Sequence, residues 1–534
     1  MDGRLIIDCS VLVLYFFIII TIGLRMGRKE ESLHDFVLGG RRIPWWAVLA
    51  SIIAAETSAA TFFGVPGEGF ALRKFTYIQL AFGTIIARIL VSYIFIKPYY
   101  DYKVYSIYEY LTARFGVATK NAASAIFLFT RVLASGARLY VAAIALALAY
   151  EMISGARPTQ TQTLWIYVAA CIAIVILTAI YTTLGGIKAV VWTDFIQASI
   201  MIGSALVALG LLYSAIPGGW QEIVERHGGF GVSDFITTGL DPAKQGWERW
   251  KGMFEIEYTI FAGLIGSTFV TMATHGTDQD MVQRMLTAVD VRRSRRSLVL
   301  SGLADIPIVL TFLSIGLLLW TYYQAHPDAN LPKAPSEIFC HFVLHQMPVG
   351  LRGLVIAGIF ATAMGSLSTA LNALATSFTR DWYETYINPG STAEQSLRAV
   401  RLATIAFSAL MIVVASITSY LVIVRPDLRI IPIVLGIFGY TYGSLLGVFL
   451  CGIFTKQRGN NAGNIVAMII GFVVVAMVSG LPNNVARIFG TKFYEQPRWL
   501  PLMEFPWWIF CGTIVTFSVA ILFRTGREHH PPAS

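Results

Sequence analysis

Charged residues are scarce in this chain. Only 13% of its 534 residues are Asp, Glu, Lys or Arg, whereas 56% are hydrophobic and the mean hydropathy is +0.64. A water-soluble domain carries about 25% charged residues, so the composition excludes that class. It predicts an all-α polytopic membrane protein, because lipid requires each spanning segment to pair its own backbone polar groups.

Cysteine is also rare and follows no pattern. The five cysteines lie in or beside apolar runs, at Cys9, Cys171, Cys340, Cys451 and Cys511, without the spacing of a disulfide framework or a metal motif. The HExxH, GxSxG and Walker A motifs of enzymes are absent as well. We therefore expect neither an enzyme nor a bound cofactor.

Hydrophobic runs long enough to cross a bilayer, about 20 residues each, recur from end to end. They predict thirteen spans, at 8–26, 44–67, 76–98, 119–151, 163–184, 190–216, 254–276, 298–322, 350–379, 399–424, 430–455, 462–480 and 506–523. No intervening segment is long enough for a separate soluble domain. The sequence thus predicts one membrane domain over residues 1–534.

The positive charges predict how the chain is oriented. Lysines and arginines are denser in one alternate set of loops, which starts at Arg25 and includes Arg284 and the Arg292–Arg296 cluster. That set is expected to be cytoplasmic, which places the N-terminus outside and the C-terminus inside a cell (inner) membrane. Because the bases are spread over short loops, the net charge of +9 is a topology signal, and no nucleic-acid partner is expected.

Two predicted spans are interrupted. The stretch SIIAAETSAATFFGVPGEG (51–69) carries Glu56 and then a Gly64–Gly67 turn signal, and a second run stops at Thr274–Asp280. These are the first and sixth spans of a series of ten, the spacing of an inverted repeat of five helices. Breaks in mid-membrane release carbonyls that suit a hard cation such as sodium. Gly64–Gly67 could alternatively mark the outer end of a short span.

Four ordered motifs resemble the sodium:solute symporter family, which includes sodium/glucose, sialic acid, iodide and monocarboxylate cotransporters. They are WWAVLASIIAAETSAATFFGVPG (45–67), YTTLGGIKAVVWTDFIQ (181–197), TDQDMVQRML (277–286) and ATAMGSLSTALNALATSFTRDWY (361–383). The resemblance implies a leucine-transporter-like five-plus-five inverted repeat. It divides the chain into a leading helix and loop (1–43), a ten-helix core (44–456) and two trailing helices with a tail (457–534).

The resemblance also implies a sodium site between the first and eighth core helices. Its ligands would be the carbonyls of Ala54, Thr57 and Thr362 and the hydroxyl of Ser366. Where the family usually has a second hydroxyl, this chain has Gly365. Sodium would then lose one of about five or six oxygens. Either water fills the gap, or a nearby carboxylate such as Glu56 does, or coupling is weaker or uses protons.

A second cation site would fall on Asp194, Ser368 and Thr369. It is less well supported, because in the family it would also draw on the hydroxyl missing at Gly365. The hydroxyl residues could instead be small residues that let helices approach closely, and Asp194 could be a charge at a cytoplasmic helix end.

The solute is expected beside the two breaks, near the bilayer midplane. The candidate contacts are Glu56, Ser58, Thr61, Tyr77, Gln79, Arg138, Asp278 and Gln279. Arg138 could receive a substrate carboxylate as a bidentate fork, or neutralise Glu56 or Asp278 as a structural ion pair. His275 fits a core histidine better than a proton relay.

The predicted function is sodium-coupled symport of a small polar organic solute, such as a sugar, sialic acid or another carboxylate, by alternating access. The expected partners are that solute, sodium and the lipid bilayer. Proton-coupled or uncoupled transport on the same fold is the alternative. The sequence leaves the identity of the solute, the stoichiometry and the oligomeric state open.

Overall fold

The computed structural model describes residues 3–27, 32–154, 158–424, 430–488, 491, 497 and 500–525. This part of the chain is helical, and its only strand-like pairings are isolated bridges at Ile43–Ala288 and Arg458–Arg524. The all-α prediction is therefore confirmed.

The described helices fall into two groups, before and after the second break. The first group comprises α1 (Gly3–Met26), α2 (Leu33–Leu38), α3 (Trp45–Glu56), α4 (Ala59–Leu72), α5 (Gln79–Ile94), α6 (Ile96–Asp101), α7 (Tyr108–Phe115), α8 (Val117–Ser154), α9 (Gln160–Ser214), α10 (Gly219–Arg226), α11 (Gly246–Glu255) and α12 (Thr268–Gly276). The second comprises α13 (Gln279–Leu286), α14 (Val291–Ala325), α15 (Pro335–Gln346), α16 (Leu351–Phe378), α17 (Ala393–Val424), α18 (Ile430–Phe454), α19 (Asn461–Val478), α20 (Leu481–Ile488) and α21 (Phe505–Ala520). Wider π-helical turns precede α12 at Ala262–Ser267 and follow α16 at Thr379–Ile387.

Nine helices of the described residues are long and apolar enough to cross a membrane, or ten if the bent pair α3–α4 is one span. One of them, α9, has 55 residues and would be about 80 Å long if straight, more than twice the hydrocarbon thickness. It contains two predicted spans, which meet where Gly186 takes a left-handed φ of 53°. The total of thirteen spans stays a prediction.

The first interrupted span breaks earlier than predicted. Helices α3 and α4 meet at 64° across Thr57 and Ser58, whereas Gly64, Pro66 and Gly67 lie inside α4. The placement of the break at Gly64–Gly67 was therefore wrong. A proline removes one helical hydrogen bond, but here the helix continues because it packs tightly on α14 and α15.

The glycines of α4 serve this packing. A Cβ atom at Gly69 would fall 2.5 Å from the Leu313 carbonyl oxygen of α14, and one at Gly67 would fall 2.9 Å from the Ser336 nitrogen of α15. At Gly64 a Cβ would meet no atom within 4 Å. Gly67 and Gly69 thus allow close helix contact, while Gly64 has no such role.

These contacts predict different effects for two alanine substitutions in one helix. Gly69→Ala should destabilise the protein by about 1–3 kcal/mol, because its methyl group overpacks the contact with α14. Gly64→Ala should leave the melting temperature unchanged or slightly higher, since alanine is the better helix former. Thermal unfolding in detergent compares the two variants. A larger loss of stability for Gly64→Ala would indicate that the helix does break at that position.

The second interruption lies inside the predicted segment. Helix α12 ends at Gly276 and α13 begins at Gln279, and Thr277 and Asp278 between them leave the helical conformation. The Asp278 carboxylate caps α13 by accepting a hydrogen bond from the Asp280 N–H at 2.9 Å, a common role for aspartate. Both breaks face the same interior, where α16 is buried along most of its length.

Candidate functional site

A cavity of about 2310 Å³ lies beside both breaks. Its lining includes Glu56, Ser58 and Thr61 from the first broken span and His275 from the second. The other elements contribute Tyr77, Thr84, Arg131, Arg138, Asp305 and Phe438. Five of the predicted solute contacts therefore line this one cavity, namely Glu56, Ser58, Thr61, Tyr77 and Arg138.

The first break releases backbone carbonyls, including two of the predicted sodium ligands. In a continuous helix the Ser58 N–H would bond to the Ala54 oxygen and the Thr61 N–H to the Thr57 oxygen. Instead, Ser58 donates to Glu56 O at 3.0 Å and Thr61 donates to Ser58 O at 2.9 Å. The carbonyls of Ala54 and Thr57, two of the predicted sodium ligands, are therefore left without their helical partners.

The facing helix α16 brings the other predicted ligands to this break. Gly365 lies against Ala54, whose carbonyl oxygen would be 3.4 Å from a Cβ atom at 365. The neighbouring Ser366 donates its hydroxyl hydrogen to Thr362 O and Ala363 O, each at 3.1 Å. Its oxygen lone pairs remain able to bind a cation.

The second predicted cation site is buried. Asp194 is completely buried within α9 and accepts a 2.5 Å hydrogen bond from the Ser51 hydroxyl. Its Oδ1 has no hydrogen-bond partner among the described residues. Ser368 lies close to this carboxylate, and Thr369 donates to Gly365 O at 3.1 Å. The alternative of a solvated charge at a helix end was wrong, since Asp194 is completely buried inside the long helix α9.

Glu56 belongs to a polar cluster on the cavity wall. It forms an ion pair with the fully buried Arg88, and its Oε1 is 3.3 Å from His275 Nε2. Asp305 lies on the same wall and accepts a 3.1 Å hydrogen bond from Thr84. Two carboxylates and one arginine thus give this wall an excess of negative charge when His275 is neutral. Glu56 is turned toward these groups, so it does not fill the gap at Gly365.

The two arginines of α8 have different surroundings. Arg131 forms ion pairs with Asp278 and, at 3.1 Å, with Asp280, and Tyr442 donates to Asp278 at 2.7 Å. Arg138 has no ion pair with any described carboxylate, and its Nε has no hydrogen-bond partner there. Its guanidinium rests 4.8 Å from the centre of the Phe438 ring.

This arrangement contradicts the structural ion pair considered for Arg138. The structural ion pairs belong to Arg88 with Glu56 and to Arg131 with Asp278. Arg138 is a cation on the cavity wall whose hydrogen-bond donors remain available to a ligand.

Three predicted solute contacts lie elsewhere. Gln79 donates to Thr76 O and Tyr258 O, both at 3.0 Å, and Gln279 donates to Tyr105 O at 2.8 Å. Asp278 is fully buried and is occupied by Arg131, Tyr442 and the helix cap. None of the three lines the cavity, and each instead satisfies other polar groups that would otherwise have no partner.

A further buried arginine was missed by the sequence reasoning, which assigned it to a cytoplasmic loop. Arg284 is completely buried, bonds to Asp280 at 2.9 Å and to Ser51 at 3.0 Å, and lies 3.8 Å from Asp194. These contacts join the second break to the second predicted cation site. No local signal in the sequence indicates this burial, which follows from the folding of the short α13 into the interior, where all of its residues are buried.

The sequence model of the sodium:solute symporter family matches residues 36–471. The sodium/sialic acid symporter of Proteus mirabilis is 28% identical over 485 residues, 90% of this chain and 91% of that protein. The human sodium-coupled monocarboxylate transporter 1 is 26% identical over 88% of this chain and 71% of its own length. The sodium/glucose cotransporter of Vibrio parahaemolyticus is 26% identical over 99% and 92%.

Solved structures agree with the observed fold. A substrate-bound, outward-open sodium-coupled sialic acid symporter superposes with a TM-score of 0.77 at 26% identity, covering 97% of both chains. A nucleobase-cation-symport-1 family transporter superposes with a TM-score of 0.51 at 11% identity, over 92% of this chain and 96% of that chain. The leucine-transporter-like inverted repeat is therefore the fold of this chain.

Proposed function

Because this chain belongs to the sodium:solute symporter family, we propose that it carries a small polar solute with a carboxylate group into the cell together with sodium. The observation that carries the carboxylate assignment is Arg138, a cation on the cavity wall with no ion-pair partner among the described residues. A guanidinium in such a site favours a bidentate carboxylate.

The cation half of the proposal rests on the first break. The carbonyls of Ala54 and Thr57 have lost their helical partners. Ala54 lies against Gly365, the residue that precedes Ser366 in α16. Carbonyl and hydroxyl oxygens without a competing donor suit a hard cation. We assign sodium to this place, with Thr362 and Ser366 contributed by α16.

Two carboxylates of the cavity lining indicate the rest of the solute. Glu56 and Asp305 present carboxylate oxygens to the cavity, and such oxygens accept hydrogen bonds from hydroxyl or amine groups. A solute that carries both a carboxylate and hydrogen-bond donor groups matches Arg138 and these two carboxylates. Sialic acid has this chemistry, and relatives named for sialic acid and for monocarboxylates support a carboxylate.

The solute class can be tested by thermal stabilisation of the purified protein. The panel contains sialic acids, small monocarboxylates, neutral sugars and polyols, each with sodium or with choline. Carboxylates are expected to raise the melting temperature most, and more with sodium, because a ligand that binds the folded state stabilises it. A panel in which only neutral sugars stabilise the protein would contradict the carboxylate assignment.

The Glu56→Gln variant tests whether Glu56 contacts the solute or the cation. We expect the solute KM to rise about tenfold or more, because a charged acceptor on the solute wall is lost. Apparent sodium affinity should change less than twofold, since Glu56 is turned toward Arg88 and His275. Sodium-dependent melting checks that the variant is folded, and a loss of sodium affinity would instead place Glu56 at the cation.

Proton coupling is the second candidate, and one observation favours it. Glu56, His275 and Asp305 bring three ionisable groups to one cavity wall, as proton-coupled transporters often do. Uptake that persists in choline, but depends on an inward proton gradient, would select this reaction over sodium symport.

The orientation is also a proposal. We place the N-terminus outside and the C-terminus in the cytoplasm, as the distribution of positive charge indicates. The cavity lining includes residues 329–334, which lie in a loop predicted to be external. On this orientation the cavity opens to the outside, in the conformation that would admit solute.

A further inference from the structure

The side chain of Gln197 is buried with an unused oxygen. Gln197 lies in α9, three residues after Asp194 and therefore on the same side of the helix, and it is 1% exposed. Its Nε2 donates a long hydrogen bond to the Tyr15 hydroxyl at 3.4 Å. Its Oε1 has no hydrogen-bond partner in the described part of the chain. Buried amide oxygens are nearly always paired, so this one requires an explanation.

The unused oxygen lies at Gly365. A Cβ atom at that residue would be 3.1 Å from Gln197 Oε1 and 3.4 Å from Ala54 O. Ala54 O is one of the carbonyls released at the first break. Two oxygens that can only accept hydrogen bonds thus lie beside Gly365, and no described donor bonds to either of them. Neighbouring oxygens of this kind attract a cation.

The glycine makes this arrangement possible. Any side chain at 365 would begin within 3.1 Å of the Gln197 oxygen, closer than most Cβ atoms tolerate. The hydroxyl of a serine at 365 would lie one bond beyond that Cβ, next to the glutamine carbonyl. The oxygen that Gln197 supplies therefore lies beside the place where the missing hydroxyl would be.

We propose that the side-chain carbonyl of Gln197 is a sodium ligand that replaces the hydroxyl missing at Gly365. This inference rests on the proposed sodium coupling and adds a residue from α9 to a site otherwise built from α3 and α16. It also accounts for sodium binding without water or Glu56 in the gap.

The test is sodium-dependent thermal stabilisation of the full-length protein in detergent, with choline as the balancing cation and no solute. Gln197→Leu should raise the sodium concentration for half-maximal stabilisation about tenfold or more. Tyr15→Phe, which removes the partner of Nε2 and leaves Oε1, should change it less than twofold. Adding Gly365→Ser to Gln197→Leu should restore most of the lost affinity, because a hydroxyl then fills the vacated space.

The outcomes distinguish a wrong assignment of Gln197 from a wrong assignment of sodium coupling. If the wild type responds to sodium and Gln197→Leu responds equally well, or if Gly365→Ser restores nothing in a folded double variant, the assignment of Gln197 is overturned while sodium coupling stands. If the wild type shows no sodium response, both are overturned. Should Gln197→Leu fail to fold, Gln197→Glu carries the test, since a carboxylate there should tighten sodium binding and unchanged affinity would overturn the proposal.

Discussion

Arg138→Gln is expected to weaken binding of the carboxylate solute about 30-fold or more, equivalent to about 2 kcal/mol, the lower range for losing one partner of a desolvated charged pair. The variant should fold normally, because Arg138 has no ion pair with a described carboxylate that would be left unpaired. Binding is measured by solute-dependent melting or calorimetry with the carboxylate that stabilises the wild type most.

Two comparisons make this prediction specific to the carboxylate. Arg138→Lys keeps the charge but loses the planar fork, so we expect an intermediate affinity. The uncharged amide of the same solute should bind wild type and Arg138→Gln about equally. If Arg138→Gln bound the carboxylate as tightly as the wild type does, the carboxylate would have to be placed elsewhere.

Asp278→Ala is expected to destabilise the protein by about 3–5 kcal/mol, the cost of leaving a buried ionic partner uncompensated. Asp278 is fully buried, pairs with Arg131, accepts from Tyr442 at 2.7 Å and caps α13. The readouts are the melting temperature in detergent and the yield of monodisperse protein. Asp278→Asn, which keeps an acceptor for Tyr442 and for the cap, should lose less.

The matched control is Glu394→Ala, which removes a carboxylate from an exposed ion pair. Glu394 lies 2.6 Å from Arg398, and both side chains are about 70% exposed, so the expected loss is at most about 0.5 kcal/mol. If the Asp278→Ala protein melted like this control but failed to bind solute, Asp278 would be a solute contact and not a structural residue.

The fold was predictable because its signals are long and repeated. Apolar runs of about 20 residues define helices that only a membrane accommodates, and four ordered motifs indicate the family. The exact position of the first break was not predictable from local rules. Gly64 and Pro66 are helix breakers in isolation, but contacts of α4 with α14 and α15 keep that helix intact, and the chain bends at Thr57–Ser58 instead.

Charge pairing was harder to predict than burial. Arg131 and Arg138 are seven residues apart and lie on one side of α8, so the sequence did not distinguish the one that pairs with Asp278. Arg284 lies close to a basic loop, and only the folding of α13 into the interior shows that it is buried. Gln197 gave no signal because the role proposed for it depends on a glycine in another helix, and Asp305 because only the fold brings it to the same cavity wall as Glu56.

The central claim is sodium-coupled uptake of a carboxylate solute, and the most direct measurement is uptake into proteoliposomes under an inward sodium gradient, with choline substituted at fixed pH as the comparison. We predict that solute accumulates above its external concentration only with the sodium gradient, and that Arg138→Gln abolishes this accumulation at low solute concentration. Equal accumulation in choline, or none with any carboxylate of the panel, would contradict the account.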